Sequence, residues 1–300
     1  MSFWPLGYED PMTQIAVLIP DPQDRSYIGR WPEVLQRLKT TLETTGALVT
    51  PTPWTDHVTD VSGLTAYDLI LPVIAWGYHR DHERWLAACT RWTEAGLPLA
   101  NPASVLRWNS DKTYLGRLAQ QGVLIPTTLW SEAITQDQVD AAFAQTGAPA
   151  LIVKPTVSAG AFRTLRLSPG EPLTEAPEGA AMIQPYLKSI ETEGETSLLF
   201  FGGRFSHAVN KRPVPGDFRI QMQFGGLYTP VTPDAQAMAL ARQVLAAIDE
   251  PLLYARIDMA RDDAGRWVLM EAELIEPDFY LDHDPANGAG FARAVAERLA

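Results

Sequence analysis

The chain has 300 residues, enough to bury a large core and to build two or three lobes. Its apolar share of 46% is ordinary for a globular protein, and its charge, 24 − 36 = −12, argues against nucleic acid and anionic membranes as partners. A nucleotide stays open, because local Lys and Arg can hold phosphates in an acidic protein.

Cys89 is the single cysteine, so no internal disulfide can form and a reducing compartment is expected. No apolar stretch approaches the roughly 20 residues of a membrane span. The first residues carry Glu9 and Asp10 and no basic region of a signal peptide. The cytoplasm is the expected location.

Residues 15–19 are a short apolar run and predict a buried strand. Val34, Leu35, Leu38 and Leu42 fall at helical spacing and predict a helix over 31–42, ending near Gly46. Strands are expected at 47–49, 67–75 and 97–100. A helix is expected at 79–95, with Trp85, Leu86, Cys89 and Trp92 on one face. Strand and helix alternate, so residues 1–108 read as a parallel αβ domain. Ligands in such sheets sit beyond the carboxyl ends of the strands, here 21–27, 54–57, 76–82 and Asn101. Tyr27, Trp54, Trp76 and Tyr78 at those ends suit a small shaped pocket and equally suit plain packing. No Gly-x-Gly-x-x-Gly follows the first strand, and His57, His79 and His82 lack metal-ligand spacing.

Ser110 is expected to cap a helix over 111–121, ended by Gly122. Lys112 would then lie in the first turn, where a cation opposes the helix dipole; a phosphate is one reason for it and simple solvation another. A second helix is expected at 139–144. The strand at 151–155 carries Lys154, which is expensive to bury unless an anion meets it. Ser158, Ala159, Gly160 and Ala161 follow, small residues that let backbone N–H groups approach phosphate oxygens. A return strand at 163–167 makes residues 109–183 a small central α+β lobe.

Residues 181–187 read as an apolar strand broken at Gln184-Pro185, a hinge whose backbone groups could read an adenine edge. A hairpin is expected over 196–201 and 204–210, ending at Lys211 and Arg212. A strand at 217–224 would carry Arg219. A long helix is expected at 233–248 and a closing one at 289–299. Residues 184–300 therefore read as an antiparallel sheet with helices on one face.

The last two strands of that lobe carry the densest chemistry. Arg256 and Asp258 share one strand face by period two, as do Glu271 and Glu273. Paired around the turn at Asp262 to Gly265, they set three carboxylates and a guanidinium on one face, with Val268, Met270, Ala272 and Leu274 opposite. Such carboxylates repel unless something positive lies among them, and a hard divalent cation answers that need. An ordinary solvated hairpin face is the plain alternative.

The ordered set of Lys112, Lys154-Pro155 with its small loop, Gln184-Pro185-Tyr186-Leu187, Gly194-Glu195, Arg219, Arg256-x-Asp258 and Glu271-x-Glu273 resembles the ATP-grasp ligases over residues 101–280. Within them it is similar to bacterial glutathione synthetase. It is closer to the O-ureido-D-serine cyclo-ligases of cycloserine biosynthesis, through Leu274-Ile275-Glu276-Pro277 after the acidic pair.

The resemblance implies an ATP-grasp fold and a set of roles. Lys112, Lys154 and Lys211 would hold ATP, with Ser158, Ala159, Gly160 and Ala161 folded over the phosphates. Gln184 and the backbones of Tyr186 and Leu187 would take adenine, and Glu195 the ribose. Asp258, Glu271 and Glu273 would bind two Mg²⁺ ions. Arg219 and Arg256 would stabilise an acyl phosphate and the tetrahedral intermediate. Glu273 stands where most relatives have Asn, and the phosphate loop has one glycine where many have several.

The implied activity is ADP-forming ligation of a small carboxylate or amino acid to nitrogen, as a ring closure or, alternatively, as peptide formation. An ATP-binding protein without catalysis and a small-molecule kinase are the rivals. No protein nucleophile is required, in keeping with the lack of a Ser/His or Cys/His arrangement. A homo-oligomer is left open.

Overall fold

The computed structural model describes residues 12–27, 29–160, 162–214, 219–220 and 225–300. The first sheet is parallel, in the order β2-β1-β3: β1 (Gln14–Ile19), β2 (Leu48–Pro53) and β3 (Leu69–Leu71). Helix α1 (Arg30–Glu43) covers one face, burying Leu38 and Leu42; α2 (His82–Glu94) covers the other through Trp85, Ala88, Cys89 and Trp92.

Two expected strands are cut short. Pro72 follows Leu71 and ends the ladder, so 67–75 yields only three paired residues. The strand expected at 97–100 is reduced to a bridge between Ile70 and Leu99. The aromatic residues at the strand ends divide. Trp54 is buried edge-on to Trp85 in the core, whereas Tyr27, Trp76 and Tyr78 line a cavity.

Two short helices follow: α3 (Ala103–Asn109), which the sequence did not suggest, and α4 (Tyr114–Gln120), the helix expected at 111–121. Ser110 ends the first and donates to the Arg107 carbonyl rather than capping the second. Lys112 lies in the link between them, its N–H on the Thr156 carbonyl. The helix dipole is therefore not what its charge opposes.

A four-stranded antiparallel sheet follows, in the order β4-β7-β5-β6: β4 (Leu129–Ser131), β5 (Leu151–Pro155), β6 (Leu165–Leu167) and β7 (Ala181–Pro185). Helix α5 (Gln136–Thr146), closed at its start by a capping box from Thr135 and Gln138, packs on its apolar face. Leu151 and Val153 point to that helix; Ile152 and Lys154 point away, into the cavity.

After a single turn, α6 (Ser189–Thr192), comes a five-stranded antiparallel sheet in the order β10-β9-β8-β11-β12. Its strands are β8 (Glu195–Phe201), β9 (Arg204–Arg212), β10 (Leu227–Val231), β11 (Tyr254–Arg261) and β12 (Trp267–Glu273). The expected strand at 217–224 falls almost wholly outside the described residues. β10 had no sequence signal, since Leu227 and Val231 are exposed and Pro230 interrupts the run.

Helices cover both faces of this sheet rather than one. Leu198, Phe200 and Ile257 pack with α7 (Ala235–Ala246). Leu199, Phe201 and Tyr254 pack with α8 (Ala289–Leu299), which also meets α1. The α8 face is apolar at one end only. At the other end the same alternation presents Glu195, Ser197, Lys211, Arg256 and Asp258, and there the site lies.

Candidate active site

A cavity of about 520 Å³ is lined by residues of the two antiparallel sheets, of α1 and of the loops beyond the first sheet's strands. Strand register arranges its charged floor. Lys211 pairs across from Glu195, Ser197 from Asp258, Asp258 from Glu271, and Arg256 from Glu273.

β12 is the sheet's edge, and its outer backbone is held by side chains. Asn109 accepts from Leu274 N–H (3.0 Å) and donates to the Ala272 carbonyl (2.8 Å). The Tyr114 hydroxyl accepts from Ala272 N–H (2.8 Å). Asn101 donates to the carbonyls of Leu274 and Tyr254. These buried bonds fix where Glu271 and Glu273 point.

The hairpin is not regular. Asp258 faces Glu271 but Met259 faces Leu269, so Met270 is an extra residue, a β-bulge. The bulge reverses the alternation beyond it. Ala272 and Leu274 lie on the α7 side as expected, and Leu269 joins them. Met270 and Val268 take the other side, packed near Leu187 and Ile190. Their expected placement opposite the acidic face is thereby corrected.

The charges are buried and matched. Lys112 donates to Glu271 at 2.6 Å and to the Ser158 carbonyl at 3.0 Å. Burial pulls its pKa down, but the facing Glu271 outweighs this and holds it above the ordinary lysine value. Lys211 meets Glu195 at 2.6 Å and Asp258 at 2.9 Å. Arg256 contacts Asp258 at 3.0 Å and also Glu273. Burial favours the neutral acid at Asp258, yet Arg256, Lys211 and the Ser197 hydroxyl together hold it well below the carboxylate range. Burial likewise raises Glu271, but Lys112 and Lys154 bring it below its usual value. Glu273 and Glu276 are pushed up to about 8, by burial first and then by neighbouring carboxylates that Arg256 and Lys112 only partly offset. Burial lowers Lys154 despite Glu271 nearby.

The donor set suits Mg²⁺, being all carboxyl oxygen; Glu273 and Glu276, kept mostly protonated at neutral pH by burial and neighbouring carboxylates, would ionise beside an added cation. As the side chains stand, no three such groups among the described residues are gathered tightly enough to hold an ion; Lys112 and Arg256 occupy the oxygens instead. Mg²⁺ needs only one or two protein carboxylates when phosphate supplies the rest.

Lys112, Lys154, Ser158, Ala159, Gly160, Gln184, Tyr186, Leu187, Glu195, Lys211, Arg219, Arg256, Asp258, Glu271 and Glu273 all line the one cavity. Ala161 lies outside the described residues. The Tyr186 N–H already donates to the Ala150 carbonyl, so it is not offered to adenine. Gln184 donates to Thr128, and Leu187 lies in an apolar wall with Ile190 and Ile220. His79, Phe162, Tyr228, Glu276 and Tyr280 also line the cavity and were not singled out as site residues by sequence. Glu276 follows the strand's end, where period two no longer tells direction. Tyr228 sits on the strand that had no signal.

Comparison with known proteins agrees with this geometry. Residues 21–101 match the family model for the N-terminal domain of D-cycloserine synthetase DcsG. The cycloserine biosynthesis protein DcsG of Streptomyces lavendulae is 32% identical over 82% of this chain and 87% of its own length. The chain belongs to the ATP-grasp ligases, in the family of DcsG.

A glutathione synthetase of Prochlorococcus marinus (strain MIT 9313) is 26% identical over 68% of this ligase and 65% of that protein. In fold, the ligase superposes on the crystal structure of D-cycloserine synthetase DcsG with a TM-score of 0.80, at 24% identity, covering 96% of this chain and 100% of that one. The D-alanine–D-alanine ligase of Bacillus anthracis gives 0.69 at 14% identity, covering 96% of each. The ATP-grasp ligase described here is an ATP-dependent, ADP-forming enzyme of carbon–nitrogen bond formation. No helix among its described residues is long and apolar enough to cross a membrane.

Proposed function

We propose that this ATP-grasp ligase activates the carboxylate of a small amino acid derivative as an acyl phosphate and closes a ring by intramolecular attack of nitrogen. The supporting observation is a matched cluster of Lys112, Lys154, Lys211, Arg256, Asp258, Glu271 and Glu273 in a single cavity, in a chain 32% identical to a cycloserine biosynthesis protein. A carboxylate is a poor electrophile. The γ-phosphoryl group passes to its oxygen and ADP leaves; nitrogen then attacks the acyl carbon, the C–N bond forms, and the C–O bond to phosphate breaks. Lys112 and Lys154 hold the phosphates, and the loop of Ser158, Ala159 and Gly160 covers them. Gln184 and Leu187 face the base, and Glu195 the ribose. Arg219 and Arg256 stabilise the charge that develops on the acyl group. Asp258, Glu271 and Glu273 would hold Mg²⁺, two ions in this reading, which would supply charge neutralisation when bound. We assign the three lobes to residues 1–108, 109–183 and 184–300.

Intramolecular attack gains effective molarity and needs no second amine pocket. The cavity of about 520 Å³ must hold both ATP and substrate, which favours a small substrate. Peptide formation in the manner of glutathione synthetase is the second reading, supported by the Prochlorococcus relative. Phosphate release by the purified protein, with ATP, Mg²⁺ and a panel of amino acids and ureido acids, is expected to rise only with a carboxylate substrate. Release that no carboxylate stimulates would refute ligation and leave a nucleotide-binding protein.

A further inference from the structure

We propose that His79 is the base that takes the proton from the attacking nitrogen as the carbon–nitrogen bond forms. The assignment rests on the acyl-phosphate reading above. His79 lies in the short 3-10 turn Tyr78–Arg80, beyond β3, and its ring lines the cavity. Across from it, 5.6 Å between ring centroids, is Phe162, just after the small-residue loop assigned to the phosphates. Nδ1 is enclosed without a hydrogen-bond partner, and no group among the described residues bonds the other ring nitrogen. A neutral imidazole carries its proton on one nitrogen; with it on the enclosed Nδ1, Nε2 keeps the lone pair and can accept.

The other basic and acidic groups there are mostly committed. Lys112 is on Glu271, Lys211 on Glu195 and Asp258, and Arg256 on Asp258 and Glu273. Burial first, then the charges of Arg80 and Lys112, push the His79 pKa down to about 4, so the ring is neutral and able to accept at neutral pH. Phosphate drawn to Lys112 would cancel part of that field and make the ring more basic when a base is needed. In the step itself the nitrogen lone pair forms the bond to the acyl carbon, phosphate leaves with the C–O electron pair, and the N–H proton passes to Nε2.

The test separates activation from attack. Wild type, His79→Asn, His79→Ala and Glu276→Gln are given ATP, Mg²⁺ and O-ureido-D-serine, with and without hydroxylamine. Hydroxylamine is unprotonated at neutral pH, needs no base, and traps an acyl phosphate as a hydroxamate. Both His79 variants are expected to release ADP with hydroxylamine within a few fold of wild type, while ring product falls about 100-fold and hydroxamate takes its place. A wild-type ratio of product to hydroxamate in both variants overturns the base, as does equal loss of product and hydroxamate in variants that keep the wild-type melting temperature with Mg²⁺-ATP. The same partition change in Glu276→Gln but not in His79→Asn moves the role to Glu276. If wild type and both His79 variants release ADP with hydroxylamine yet none forms hydroxamate, the acyl-phosphate reading fails first and carries the base with it.

Discussion

Glu271 and Glu273 stand on one face of β12 yet meet different cations, Lys112 and Arg256. Glu271 is held ionised, which is what a metal ligand requires. Glu271→Gln removes that charge and little volume, and ADP release is expected to fall about 100-fold or more. Glu273→Asn keeps an oxygen donor, and a loss below about tenfold is expected. Near-wild-type rates for both variants across a Mg²⁺ titration would falsify their assignment to metal. The raised carboxyls also predict a pH dependence. Glu273 and Glu276 titrate near 8 in the ligand-free fold against an ordinary 4.5, so the stability they contribute is complete below 4.5 and is lost as pH rises through 8. His57, His79, His82 and His207 are shifted down and act in the opposite sense, but only below their ordinary 6.5. Between about pH 6.5 and 8 the ligand-free melting temperature should therefore fall, and Glu276→Gln should flatten the fall. A wild-type profile that rises over that window would contradict the burial of these carboxyls.

At the scale of elements, the edge strand β12 is held by Asn101, Asn109 and Tyr114. Asn109→Ala leaves the Ala272 carbonyl with one partner fewer and Leu274 N–H with none of its own, at a cost of about 2–3 kcal/mol in denaturant unfolding. Activity should fall more than a stability loss alone explains, because Glu271 and Glu273 flank those atoms; unaltered turnover in a folded variant would argue against positioning. Gly194 precedes Glu195 at φ 89°, and a Cβ there would lie 2.7 Å from the Lys211 carbonyl. Gly194→Ala should destabilise by more than about 1 kcal/mol and weaken ATP binding through Glu195 and Lys211. Unchanged ATP protection would count against those two as nucleotide residues. Strand periodicity made the Arg256-Asp258 and Glu271-Glu273 faces legible in advance, and their pairing follows. The bulge at Met270 was not legible, because one extra residue leaves no mark in composition yet turns Val268 and Met270 to the cavity side. Nor was α3, or the use of Ser110 as its C-terminal cap rather than as the start of α4.

Across the whole molecule, the two antiparallel sheets and the loops beyond the parallel one converge on one cavity, and residues far apart in sequence share it: Tyr27, Lys154, Lys211 and Glu271 are examples. A ligand that binds only this assembled state must stabilise it, so Mg²⁺-ATP should raise the melting temperature, by an amount that grows with its concentration. Identity of the substrate was the least legible feature, since the first lobe's Tyr27, Trp76 and Tyr78 fit a cavity wall by type alone. The most direct test of ATP-dependent ring closure is the product mass from a reaction with ATP, Mg²⁺ and O-ureido-D-serine and no added amine. ADP, phosphate and a product derived from one substrate molecule, lighter than it, are predicted. AMP with pyrophosphate, a merely phosphorylated substrate, or a product of two substrates joined would contradict it.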